Sequence, residues 1–164
     1  MWVEGRKEKN MNTVLYSQLN QCNDRANIKH LIFDSMQGVT AIPPSIAKGM
    51  TNLKKVTICN GWIDLGEDAF YDCQNLAIVD LPESLKAIHP DAFAKTGIKD
   101  IILPDNITFI GSCAFAFFEN LRKVSLSEQT YTMIRQIGHW DQIFKGTALQ
   151  GKKQQKQVRV IICQ

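Results

Sequence analysis

Few side chains in this chain could do covalent chemistry. Cys113, His139 and Asp141 can be written as a nucleophile, its base and the group that orients the base. Their placement argues against that role. Cys113 stands two residues before Phe115 inside a repeated phrase, and nothing in the sequence brings His139 beside it. The three histidines (His30, His89, His139) share no spacing, and the five cysteines (Cys22, Cys59, Cys73, Cys113, Cys163) form no C-x-x-C pair, so no zinc pattern exists. There is no glycine loop for phosphate and no G-x-S-x-G elbow. The expectation is a protein that is not an enzyme, with no catalytic residue, no metal and no cofactor. Scattered cysteines, odd in number, read as reduced thiols used as small apolar side chains, which suits a reducing compartment.

Binding chemistry is better supplied. Lys152, Lys153, Lys156 and Arg159 have no acidic neighbour in a tail interleaved with glutamine. Such a run can meet phosphate or an acidic surface, which gives an alternative reading as a binder of nucleic acid or an acidic partner. The net charge of +3 is mild and does not put nucleic acid first. Tyr131, Met133, His139 and Trp140 form an aromatic group in an irregular stretch. Irregular insertions are common binding loops, so Tyr131, His139 and Trp140 are secondary binding candidates; Trp140 reads equally as a plug at the end of the core.

These residues are positioned by a register that repeats three times: LKKVTICNGWIDLGEDAFYDCQN (53–75), LAIVDLPESLKAIHPDAFAKTG (76–97) and IKDIILPDNITFIGSCAFAFFEN (98–120), of 23, 22 and 23 residues. A period of this size marks a solenoid, whose units are too small to bury a core alone and must stack on neighbours. Degenerate copies flank it, one of 25 residues from Ile28 to Asn52 and one of 28 from Leu121 to Ala148. A solenoid offers an extended surface, so binding is expected before catalysis.

Superposing the copies gives three apolar ladders. The first joins Leu31, Val56, Val79, Ile101 and Val124, with Phe33, Ile58, Leu81, Leu103 and Leu126 two residues later. This period of two, rich in β-branched residues, is a strand buried on one face. The second joins Ile42, Leu65, Ile88, Ile110 and Ile137, and the third Phe70, Phe93, Phe115 and Phe144, where the upstream copy has Ala47. Five parallel strands at about 4.8 Å span only about 20 Å, so the stack is short. Pro82 and Pro104 stop their strands, and Gly66, Gly111 and Gly138 are expected to give corners unusual dihedrals.

If the ladders point inward, two columns point outward. One is His30, Lys55, Ile78, Asp100 and Lys123; the other is Ile32, Thr57, Asp80, Ile102 and Ser125. Together they form an open sheet face of mixed charge with three isoleucines, the expected site of contact with a protein partner.

The boundaries that follow are 1–27 for an N-terminal tail and capping helix, 28–149 for about five repeats, and 150–164 for a basic loop and terminal strand. Within the first, Val14, Leu15, Leu19 and Cys22 make a helical stripe behind Asn12 as cap. An uncovered last strand leaves room for self-association through the ends of the stack. No apolar run is long enough to insert in a membrane, and MWVEGRKEKNMN lacks the apolar stretch of a secretory signal. A cytoplasmic or non-classically secreted protein is expected, or a surface protein if the N-terminus is truncated.

The repeat resembles the BspA-like branch of the leucine-rich repeats. The resemblance rests on Leu65-Gly66-Glu67-Asp68-Ala69-Phe70 with Cys73, on Leu81-Pro82 with Leu85, Ile88 and Ala92-Phe93, and on Leu103-Pro104 with Ile107, Ile110-Gly111 and Ala114-Phe115. Cys59 and Ser127 replace the proline in other copies, and Phe118 the cysteine. The resemblance implies an α/β-type repeat solenoid, a short right-handed superhelix with a parallel β-sheet. It also implies a protein-protein interaction module used in adhesion, host-directed binding or an intracellular scaffold.

Overall fold

Each copy of the repeated phrase folds into one coil, and the coils stack through their backbones. The computed structural model describes residues 12–136, 139–147, 149 and 159–163. The strands are β1 (Thr13–Leu15), β2 (His30–Phe33), β3 (Ala41–Ile42), β4 (Lys55–Ile58), β5 (Asp64–Leu65), β6 (Ile78–Asp80), β7 (Ala87–Ile88), β8 (Asp100–Ile102), β9 (Phe109–Ile110), β10 (Lys123–Ser127) and β11 (Arg159–Cys163). Two helices, α1 (Glu128–Gln136) and α2 (Trp140–Ile143), interrupt the fourth copy.

Every strand pairing is parallel, and the first ladder is in register: Leu31 opposite Val56, Val56 opposite Val79, Ile101 opposite Val124. The sheet order is β1-β2-β4-β6, followed after a break by β8-β10-β11. The second ladder, read from sequence only as an apolar column, is a sheet of its own, β3-β5-β7-β9. Its strands are two residues long, too short for an alternating pattern to show. The solenoid therefore has two sheet-bearing sides.

The third side is a tight turn with its own hydrogen-bond ladder. Ser45, Ala47 and Gly49 donate their N–H groups to Glu67, Ala69 and Tyr71 of the next coil at 2.9, 2.9 and 2.8 Å. Asp68, Phe70 and Asp72 do the same to Pro90, Ala92 and Ala94 at 3.1, 2.8 and 2.9 Å. The turn needs left-handed residues, and Ser45, Asp68, Asp91 and Cys113 supply φ values of 55, 56, 56 and 58° in register. Aspartate tolerates that region better than most L-residues, which explains its recurrence. The corner glycines act differently from expectation. Gly66 and Gly111 lie outside the left-handed region; they are needed because a Cβ would meet Ile42 O and Pro90 N at 2.5 Å. Gly138 lies outside the described residues, as does Ile137 of the second ladder.

The third ladder forms the centre of the core. Phe70, Phe93, Phe115 and Phe144 stack with centroids 5.4, 5.8 and 5.6 Å apart and are fully buried. Upstream, where Ala47 replaces the ring, Phe33 packs edge-on against Phe70 at 5.8 Å and Tyr16 stacks on Phe33 at 5.0 Å. Downstream the column ends on Trp140, 4.7 Å from Phe144, and Tyr131, 5.8 Å from Trp140. Trp62 is buried, and its indole N–H donates to the carbonyls of Phe33 and Asp34.

The N-terminal cap is a strand, not the expected helix. Val14 and Leu19 are buried, but β1 pairs with β2, and only Tyr16–Gln21 are helical, as a short 3₁₀ helix. The reason is the open edge of β2: Lys29 and His30 donate their N–H groups to Asn12 O, bonds that a helix laid across the edge could not accept.

The break in the first sheet falls between the second and third full copies. Lys54 and Lys55 donate to Lys29 O, Ala77 and Ile78 to Lys54 O, and Arg122 and Lys123 to Lys99 O, but Lys99 and Asp100 make no such bond to Ala77. The second copy is one residue short, and its turn closes through Gly97, where a Cβ would meet Gln74 O at 2.4 Å. The second sheet and the turn ladder run on across the break, through the β7–β9 pairing and the bonds from Asp91, Phe93 and Lys95. The stack is thus split on one side only.

Candidate binding face

The outward columns lie on the first sheet, and the break divides them into two parts. In the N-terminal part β2, β4 and β6 align His30 with Lys55 and Ile78, and Ile32 with Thr57 and Asp80. Four of these residues join into one network. The Thr57 hydroxyl donates to Asp80 Oδ2 at 3.1 Å, and His30 Nε2 lies 2.9 Å from Thr57 Oγ1. Because the hydroxyl has only one hydrogen, His30 must be the donor in the second bond, which fixes its proton on Nε2. Lys55 Nζ completes the group 2.8 Å from Asp80 Oδ2.

The electrostatics follow the contacts. The hydrogen bond from Lys55, with that from Thr57, holds the Asp80 carboxyl below the ordinary aspartate value, against partial burial. Burial and then the Lys55 charge push His30 below its ordinary value, with Asp80 opposing. His30 is therefore a neutral donor near pH 7.

In the C-terminal part β8 and β10 align Asp100 with Lys123 and Ile102 with Ser125, and β11 adds Ile161 beside Ser125. Ser125 does not belong to the exposed face as expected. It is only 4% exposed, because the longer side chains of Ile102 and Ile161 flank it in register on either side. Ile102 is 68% exposed and Ile78, across the break, 53% exposed, the two most exposed large apolar side chains among the described residues. Asp100 is exposed and Lys123 half-buried, and no ion pair joins them.

The secondary candidates are placed apart from this face. Tyr131 and Trp140 are half-buried at the end of the aromatic column, and the Trp140 indole N–H donates to Leu149 O at 3.2 Å. His139 is exposed just before α2. Cys113 donates its N–H to Gln142 O at 3.0 Å, but no hydrogen bond joins its thiol to His139. Lys152, Lys153 and Lys156 lie outside the described residues, and of Arg159 only the strand position is described. Among the described residues no cluster of histidine, cysteine and carboxylate side chains could hold a metal, and no helix is long and apolar enough to cross a membrane. Burial pushes the Cys73 thiol up to about 12.

Sequence reasoning missed the His30–Thr57–Asp80–Lys55 network, although its signal was present. The outward residues of adjacent strands alternate acid, hydroxyl, base and imidazole, types that pair when brought into register.

Solved structures share the fold. A leucine-rich cell surface protein from Faecalibacterium prausnitzii matches with a TM-score of 0.51 at 22% identity, over 60% of this chain and 26% of that one. A leucine-rich repeat protein from Eubacterium ventriosum matches with a TM-score of 0.51 at 18% identity, over 74% of this chain and 41% of that one. The pneumococcal vaccine antigen PcpA matches with a TM-score of 0.50 at 22% identity, over 65% of this chain and 28% of that one. The chain spans less than half the length of each of these structures. No curated protein matches it. The BspA type leucine-rich repeat region matches residues 16–161 in six copies, and the chain belongs to this family.

Proposed function

We propose that this chain is a non-enzymatic protein-binding module whose partner docks on the open face of the first sheet, centred on Ile78 and Ile102. The observation that carries the reading is the exposure of these two isoleucines, 53% and 68%, among charged residues. Apolar side chains left in water gain most from a partner that covers them. Asp100 and Lys123 stand beside them without an ion pair and would set the partner's orientation.

The use we propose is adhesion or host-directed contact, a reading supported by the description of the Faecalibacterium relative as a cell surface protein. A scaffold inside the cell is the second reading; it is favoured by the unpaired thiols of Cys22, Cys59, Cys73 and Cys113. The test is capture of partners from host and self lysates with the native chain and with Ile78→Glu plus Ile102→Glu. The expected result is that proteins retained by the native chain are lost with the double variant while its circular dichroism and melting are kept. If a well-folded double variant retained the same proteins, the face would not be the site.

A further inference from the structure

The coils are joined by a small set of recurring bonds, and the junction between the second and third full copies lacks most of them. Leu53, Leu76 and Leu121 open their copies by donating N–H groups back to Met50, Cys73 and Phe118 O at 3.0, 2.9 and 3.4 Å; Ile98 donates to no backbone carbonyl among the described residues. Just before two of those leucines, the side chains of Asn52 and Asn75 reach back to Ala26 and Thr51 O at 3.0 and 2.7 Å. Gly97 holds that place before Ile98 and has no side chain to reach with. Beside it the buried Thr96 hydroxyl has no partner, whereas its counterparts Cys73 and Thr147 donate to Ala47 and Phe144 O. The core records the same gap. Val79 and Leu81 are only half-buried, while every other member of their two columns, from Leu31 and Phe33 to Val124 and Leu126, is buried.

We propose that this junction is a hinge with Gly97 as its pivot, at which β6 and β8 alternate between the open arrangement and a closed one paired in parallel like the other coils. Closing gives the N–H groups of Lys99 and Asp100 the carbonyl of Ala77 and covers Val79 and Leu81, both of which favour it. Two features oppose it. The copy is one residue short, so the chain must stretch through Gly97, which already lies against Gln74 O. The register of the flanking pairs would also set Ile78 beside Asp100 and Asp80 beside Ile102, apolar against charged. Opposed gains and costs are the condition for two populated forms. The second sheet and the turn ladder are unbroken here, so the motion is confined to the first sheet. Its consequence for binding rests on the docking reading above. The open form offers Val79 and Leu81 between the two exposed isoleucines, the closed form does not, and a partner that covers all four holds the hinge open.

Amide hydrogen exchange and NMR relaxation dispersion on the 164-residue chain test the hinge. Lys54, Lys55, Arg122 and Lys123 hold the places of Lys99 and Asp100 in their own coils and are bonded there, so they serve as internal standards. Lys99 and Asp100 are expected to exchange at least about tenfold faster than these, with dispersion confined to β6 and β8. Protection equal to the standards would overturn the proposal, because the junction would then be closed in solution. Gly97→Gln with an asparagine inserted directly after it restores the 23-residue length of the first full copy. It should bring both amides to the level of the standards and abolish the dispersion; dispersion that persists unchanged would refute Gly97 as the pivot. If that variant does not fold, Ala77→Cys plus Lys99→Cys gives a second route. Opposite residues of paired strands lie about 4.8 Å apart, within disulfide reach, so mild oxidation should trap the closed form, with the single variants as controls. A pair that stays reduced, in a chain without dispersion, would mean a fixed break. Capture separates the hinge from the docking reading. The length-restored or trapped chain is expected to hold a partner of the native chain at least about 5-fold more weakly. Equal retention of a partner that Ile78→Glu plus Ile102→Glu loses would leave the docking face standing and overturn its control by the hinge. A partner kept by that double variant would overturn the docking reading, while exchange at Lys99 and Asp100 still decides the hinge.

Discussion

The two parts of the open face use the same register for opposite purposes. In the N-terminal part, Lys55, Thr57, Asp80 and His30 satisfy one another across three strands. In the C-terminal part, Asp100 and Lys123 stand opposite each other without an ion pair, and the column between them and the rim is Ile102, buried Ser125 and Ile161. Polar groups already paired must break those bonds to meet a partner, and the gain then only replaces the loss. Exposed isoleucine has only its hydration to lose. The polar network is therefore the better-knit patch, and the isoleucines on either side of the break, Ile78 and Ile102, are the better docking surface, although a sequence reading gives all the outward residues equal standing.

The largest effect that bears on this comparison comes from the element both parts share. Phe93 stacks between Phe70 and Phe115, at 5.4 and 5.8 Å, and so spans the break in the sheet. Phe93→Ala should destabilise by about 3–5 kcal/mol through the cavity it leaves. Amide exchange should accelerate in β4 and β10 alike. Acceleration in one part alone would mean that the two parts open as separate units rather than as one core.

Gly97→Ala comes next. Its Cβ would sit 2.4 Å from Gln74 O, a contact that backbone must move to relieve. A cost of about 1–3 kcal/mol is expected from overpacking of this kind, read as a lower urea midpoint. Because the second sheet and the turn ladder hold across the break, the shift should concentrate in β8 and leave β2 and β4 unmoved by NMR. A neutral substitution would mean that the short copy does not close through this contact.

What the sequence made legible follows from which forces repeat. The apolar ladders were legible because each coil must bury the same positions: Leu31, Val56, Leu65, Ile88, Phe93 and Phe115 are all fully buried. The second sheet was not, because a strand of two residues such as Ala87–Ile88 is too short to display alternation. The N-terminal stripe of Val14 and Leu19 was read correctly as apolar, but only Leu19 lies in a helix, a short 3₁₀ one; the edge of β2 draws Val14 into a strand and overrides the local pattern there. On the face, the columns were legible and the burial of Ser125 was not, since it depends on the size of side chains in two other coils. Pairing within the network likewise needs register, which a list of outward residues does not contain.

A smaller effect isolates the polar part. Thr57→Val keeps the shape and β-propensity of the strand but removes the hydroxyl that donates to Asp80 and accepts from His30. A loss of about 1 kcal/mol is expected for a half-exposed network of this kind, measured by chemical denaturation. Capture of partners should be unchanged. Lost capture in a folded Thr57→Val variant would move the site from the isoleucines onto the polar network.

The smallest effect is a proton. In the folded chain His30 should titrate below 6.5, followed by the NMR shift of its ring hydrogens, because burial and then Lys55 disfavour the charged form. Lys55→Met removes one of these causes and should raise the value, whereas Asp80→Asn removes the opposing attraction and should lower it further. The linkage has a fixed sign. The unfolded chain takes up this proton more readily than the folded one, so the contribution is complete above 6.5 and declines as pH falls from there through the folded value. Asp80, held low mainly by Lys55, contributes in the same sense at more acid pH, above its ordinary 3.8 and lost below the folded value. Stability should thus fall slightly below pH 6.5 while partner capture through Ile78 and Ile102 stays level. A capture that instead follows the His30 titration, and shifts with it in Lys55→Met, would show the partner reading the polar network, and the division between the two parts of the face would have to be redrawn.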